Sequence, residues 1–330
     1  MALLWVAPGL AVWLAMLAGN GVGLVDLGLI DILLCFALAF VVPLNLARLR
    51  SSGISAGPLP VVGTAALAIA SFGLTPGVAA AGLAVPWLVI CLWIGLRGLL
   101  ELWSSRSLHP SHLLPAASVG YLVVGASWLV ISRLGARPMG LSTEIVELTA
   151  VHFHFAGFAA PLFAIATAEI LEARSHRLAR MALAAGMGVI AAMPVVAIGF
   201  FAPQFVSAAG ALLLAAALWV LAGLMIRAAA ALKGARRVLL TIAALAVIGP
   251  MALALEYAAG PLFGLPILSI PEMPGFTVWQ TLSPSPAVPR SPSLPARSRT
   301  HATRVHEDRR NRVQGVRWER ALRPARGAWA

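Results

Sequence analysis

The sequence predicts an all-α fold, a polytopic transmembrane helical bundle of about nine spans with a disordered basic C-terminal tail. Composition is the first ground: of 330 residues, 60% are hydrophobic and 11% charged, and the mean hydropathy is +0.90. Soluble domains carry about 25% charged residues, so this balance excludes one. The second ground is the recurrence of apolar runs long enough for the roughly 30 Å of bilayer hydrocarbon, separated by short stretches with Gly, Pro and Arg. The third is where the net charge of +12 sits. Residues 1–280 hold 13 Lys and Arg against 9 Asp and Glu, whereas residues 281–330 hold 11 against 3. The membrane part is thus only mildly basic, as expected where Lys and Arg collect in cytoplasmic loops. The expected surroundings are the lipid bilayer of the cell (inner) membrane, crossed several times, and no nucleic-acid partner is implied.

Residues 1–18 are apolar without a basic leader, and read as a first span rather than a cleaved signal. Gly19-Asn20-Gly21 turns the chain into a second span, residues 22–47, which carries Asp26 and Asp31 and ends at Arg48 and Arg50. By the positive-inside tendency that end is cytoplasmic, which places both aspartates in the outer half. The third span, residues 59–74, meets a Thr75-Pro76-Gly77 turn, and the fourth ends near Leu100 with Arg97 snorkelling toward the cytoplasm. His109 and His112 in the following loop have no third metal ligand nearby. The fifth span, residues 112–131, ends at Arg133 and Arg137 on the external side. Two arginines there break the charge rule, so they are either a minority of misplaced charges in a short loop or partners of Glu144 and Glu147.

The sixth span, residues 143–171, reads TEIVELTAVHFHFAGFAAPLFAIATAEIL. As a helix it covers roughly 43 Å, so both ends reach headgroups. Glu169, Glu172, Arg174, His176, Arg177 and Arg180 then mark a cytoplasmic loop. Residues 181–201, 205–229 and 238–258 form the last three spans, with Arg227, Lys233, Arg236 and Arg237 between the final two and Glu256 near the external end. Cys35 and Cys91 both lie in apolar runs, without CxxC spacing, and read as small core residues.

From residue 261 onward prolines interrupt the apolar pattern, and from Ser283 the text turns to Pro, Ser and Arg with few aliphatics. Such composition cannot offset ordering entropy. The chain therefore divides into a transmembrane domain, residues 1–282, and a disordered tail, residues 283–330, whose abrupt change of style resembles a gene read in another frame.

Ionisable groups at membrane depth cost about 2.5 to 3.5 kcal/mol each on insertion scales, which makes the ones present candidates for function. Asp26, Asp31, Glu144, Glu147, His152, His154 and Glu256 all fall in the outer half or at the external ends of their spans. If the helices converge, they form a polar acidic pocket with Arg133 and Arg137 at its edge. Carboxylate and imidazole together suit proton relay, cation binding or a divalent metal site. On a regular helix Glu147 and His154 share a face two turns apart, about 10.5 Å, while His152 points to the opposite side from His154. No cofactor is firmly implied. A transporter-like role with a small cation or proton is expected over catalysis. The alternatives are a membrane enzyme holding a divalent metal through His154, His152 and Glu147, and a structural or accessory membrane protein with a hydrogen-bonded polar core.

The run ELTAVHFHFAGFAAP, Glu147 to Pro161, resembles the TAVHFHYAGF-type signature of the YndJ-like bacterial membrane proteins, with Phe155 where that family often has Tyr. The resemblance extends over most of residues 24–274 and implies an integral membrane, transporter-like protein. It also implies a last span after an Ile-Pro-x-Met segment, with a His-Gly and an Asn. Ile270-Pro271-Glu272-Met273 is present here, but no His-Gly-Asn follows, in keeping with a shifted frame.

Overall fold

A computed structural model describes residues 2–264, apart from 25, 51, 52, 55 and 200. The expectations for the tail and for residues 265–282 lie outside the described residues. Within them the chain is helical, with no strand among the described residues. In chain order the helices are α1 (Ala2–Gly21), α2 (Leu29–Leu49), α3 (Pro58–Gly73), α4 (Val78–Ser105), α5 (Pro110–Leu134), α6 (Thr143–Glu172), α7 (His176–Gly199), α8 (Gln204–Ala229) and α9 (Gly234–Phe263). Seven of them, α2 and α4 to α9, are long and apolar enough to cross a membrane. α3 is a shorter apolar helix.

Helix ends follow local chemistry. α2 begins at Leu29, seven residues after the start expected from hydropathy, because Gly28 is extended and its N–H donates to the Asp31 carboxylate at 3.0 Å. A carboxylate in the first turn satisfies a donor that the helix itself leaves open. Asp26 is consequently outside the helix and exposed, a correction to its placement within a span. α5 starts at Pro110 with His109 as its cap, the imidazole accepting from Ser111 N–H, so His109 serves the helix start. Ser142 caps α6 in the same way, accepting from Ile145 N–H.

Short loops make consecutive helices antiparallel neighbours, and the polar contacts sort their ends into two groups. At one end Gly77 N–H donates to the Arg133 carbonyl at 2.8 Å, and Asp31, Arg133 and Glu147 come together. At the other, Arg48 of α2 pairs with Glu169 of α6 at 2.8 Å, and Arg97 of α4 donates twice to the Gly53 carbonyl. α2 and α6 therefore run parallel, side by side. They are the central pair: 67% of the apolar window of each is buried, against 22% for α9.

Both central helices depart from regular α geometry. α2 widens into a π-helical turn over Ala37–Val41 and α6 over Phe153–Ala159. Each is followed by a proline, Pro43 and Pro161, which lacks an N–H and whose ring crowds the carbonyl four residues back. Widening the preceding turn lets the ladder continue past that crowding. The two wide turns pack against one another, and Gly9 of α1 sits so close to the first that a Cβ there would lie 2.6 Å from the Ala39 carbonyl oxygen. Where lipid is as apolar as the side chains, close backbone approach at small residues is what holds helices together.

Candidate functional site

Three helix ends build the charged cluster. Asp31 is in the first turn of α2, Arg133 in the last turn of α5, and Glu147 just beyond the first turn of α6. Arg133 is 5% exposed, so its charge is removed from water almost completely. Its Nη1 lies 3.8 Å from Asp31 Oδ1, its Nη2 donates to the Leu74 carbonyl at a long 3.5 Å, and the guanidinium carbon stands 4.4 Å over the Phe72 ring. Glu147 Oε1 accepts from the Ser132 hydroxyl at 3.2 Å. Asp31 Oδ1 and Arg133 Nε are buried and find no hydrogen-bond partner among the described residues. The Asp31–Arg133 pair is thus loose: beyond hydrogen-bond length, with an unused donor and an unused acceptor.

A second polar group lies deeper on α6. His154 is fully buried, with Nδ1 2.7 Å from the Ala150 carbonyl and Nε2 3.3 Å from Trp87 Nε1 of α4. A carbonyl only accepts and an indole N–H only donates, so the network assigns the proton to Nδ1 and the lone pair to Nε2. Both nitrogens are therefore engaged by protein. The Trp87 and His154 rings lie nearly parallel, 6.3 Å apart. Gly125 of α5 makes the room, since a Cβ there would meet His154 Nδ1 at 2.8 Å. His152 differs: its Nε2 is buried and has no hydrogen-bond partner among the described residues.

The structure brings together Asp31, Glu147 and Arg133, and places His152 and His154 farther along α6. Arg133 is inside the bundle and not at a rim, and its carboxylate neighbour is Asp31, which the charge pattern around Glu144 did not indicate. Arg137, Glu144 and Asp26 are exposed. Glu256 stands on α9, which packs chiefly on α8, away from the cluster. The regular-helix geometry expected for the two histidines holds only as far as His152, because the wide turn begins at Phe153. Among the described residues no three of His, Cys, Asp and Glu are grouped as metal ligands. Of the three expected metal ligands, only His152 presents a ring nitrogen without a hydrogen-bond partner among the described residues. A groove of about 540 Å³ lined by Thr64, Val85, Pro86, Val89, Ile90 and Trp93 contains none of these charged groups.

Sequence reasoning missed Trp87, Gly125, Ser132 and Phe72. Within spans a Trp, a Gly or a Phe is ordinary, and only the packed helices show which of them touches a polar group. The two prolines were a usable signal for the wide turns.

Seven long apolar helices, three of them joined at one end by the Asp31, Arg133 and Glu147 contacts, define a multi-pass helical membrane protein. The chain belongs to the YndJ-like protein family, whose model matches residues 32–277. No curated protein and no solved structure matches it.

Proposed function

We propose that this is a transporter-like protein of the inner membrane, crossing it about nine times, which relays protons through the Asp31, Arg133 and Glu147 cluster. The observation that supports it is the charge balance: two carboxylates from different helices stand by one buried guanidinium, Asp31 at 3.8 Å from Arg133 and Glu147 on the hydroxyl of the adjoining Ser132. With both acids ionised the cluster carries one surplus negative charge in a medium where unpaired charge costs several kcal/mol. One proton balances it, and one monovalent cation would do so too. The buried Arg133 disfavours a divalent ion, whose second charge would have no counterpart. His152, with its open Nε2, is the next acceptor inward. The cluster faces outside, because Arg48, Arg97, Arg106, Arg174, Arg177, Arg180, Arg227, Arg236 and Arg237 collect at the opposite helix ends.

The experiment is charge displacement after a pH step across reconstituted proteoliposomes. The wild-type chain should give a transient current and the Asp31→Asn/Glu147→Gln double variant none; equal currents would overturn the proposal. A metal-dependent enzyme is the competing reading, favoured only by the open His152 Nε2. Stoichiometric zinc or iron in purified protein, lost in His152→Ala, would establish it instead.

A further inference from the structure

The α2 and α6 pair is built twice on one plan. Each helix carries an acid six residues before its wide turn, Asp31 before Ala37 and Glu147 before Phe153. Each wide turn leads into a similar string, Ala39-Phe40-Val41-Val42-Pro43 in α2 and Gly157-Phe158-Ala159-Ala160-Pro161 in α6. The helices are parallel and their wide turns are in contact at mid-length. Beyond the turns each contributes one member of a second ion pair, Arg48 and Glu169. The pair therefore has charged contacts at both ends and its two irregular, proline-weakened turns between them.

The two ends are not equivalent. At the Arg48–Glu169 end the oxygen and nitrogen are 2.8 Å apart, a formed charge-assisted hydrogen bond across the two helices. At the Asp31 end the two helices form no ion pair with one another among the described residues and converge on α5 instead: Asp31 stands 3.8 Å from Arg133 with a donor and an acceptor left unused, and Glu147 accepts from Ser132. One end is latched and the other slack. A wide turn ahead of proline is where a helix bends at low cost, and two of them stacked at one level form a common hinge line. Below that line lies the latched pair, above it the proton site.

We propose that α2 and α6 pivot on the stacked wide turns, and that Arg48 and Glu169 are the inner gate of the site: the described state is closed inward with a slack outer cluster, and the alternate state tightens the cluster and parts Arg48 from Glu169. This rests on the proton-relay function for its purpose but not for its motion. Occupancy of the outer cluster sets the balance between the two states, because neutralising Glu147 changes what Arg133 is drawn toward.

The test uses spin labels on the Arg50→Cys/Ala173→Cys variant, two exposed positions beyond the gate, in a Cys35→Ala/Cys91→Ala background in lipid nanodiscs. Electron-electron distance measurements should show two populations, with Glu147→Gln or Glu169→Gln moving at least about threefold of the weight between them. A single distance unchanged by both substitutions would overturn the gate, whatever the proteoliposome currents show. Absent currents with two distances would instead remove the proton function and leave the motion standing. A second arm guards against a folding artefact: joining Arg50→Cys and Ala173→Cys, which leave the Arg48–Glu169 pair in place, with a cleavable thiol reagent should keep the fast charge transient and abolish sustained proton flux, with recovery on cleavage. Sustained flux in the joined protein would also overturn the gate.

Discussion

α6 and α9 are nearly equal in length, both apolar and both carrying glutamate, yet they sit differently. Two-thirds of the apolar window of α6 is buried in the bundle, but only about a fifth of that of α9. Glu147 on α6 accepts from Ser132, beside the Asp31–Arg133 pair, whereas Glu256 stands in the last third of a peripheral span. An acid in a hydrophobic run meets polar partners inside the bundle only when its helix is central. At the edge the same residue reaches headgroups and costs little.

The largest expected effect that sharpens this contrast is on stability. Arg133→Ala should destabilise the fold by about 3 kcal/mol, because the half-buried Asp31 loses its cation and the neighbouring Glu147 a nearby positive charge. Arg137→Ala, at an exposed position, should stay within about 0.5 kcal/mol. Reversible unfolding in mixed micelles measures both, and equal losses would erase the distinction between buried and exposed arginines. Adding Asp31→Asn and Glu147→Gln to Arg133→Ala should recover most of the loss.

Next in size is the space made for His154. Gly125→Ala puts a Cβ 2.8 Å from Nδ1 and 3.1 Å from Phe153 Cβ, an overpacking worth about 1–3 kcal/mol. Gly120→Ala on the same helix meets nothing within 4 Å and should be neutral or slightly stabilising. The same unfolding assay separates them, and a neutral Gly125→Ala would mean that His154 is not held where the structure puts it.

The smallest effect is the Trp87–His154 bond. A double-mutant cycle with Trp87→Phe and His154→Ala should give a coupling of about 0.6 kcal/mol and at most about 1.7, the range of interhelical hydrogen bonds in membranes. Zero coupling would make Trp87 a packing residue alone.

The arrangement of helices was legible because hydropathy and the Gly, Pro and Arg punctuation report the same boundaries. The start of α2 was not, since Val22 to Gly28 is apolar enough to pass for helix and only the Asp31 to Gly28 bond shows where the helix begins. Glu147 and Asp31 stood out as acids in spans, but the cation beside them did not: Arg133 precedes Glu144 in sequence and comes to Asp31 only because α5 and α2 both pack on the start of α6. The spacing rule for His152 and His154 assumed 3.6 residues per turn, and Pro161 carried the warning that the turn before it would widen.

The central claim is that the cluster exchanges a proton. Its most direct measurement is the number of protons taken up per chain when purified protein in nanodiscs is stepped from alkaline to mildly acidic pH, followed with a soluble indicator dye. The account predicts about one proton per wild-type chain that is missing from the Asp31→Asn/Glu147→Gln variant and retained in Glu256→Gln. Uptake that is the same in wild type and the Asp31→Asn/Glu147→Gln variant would contradict it.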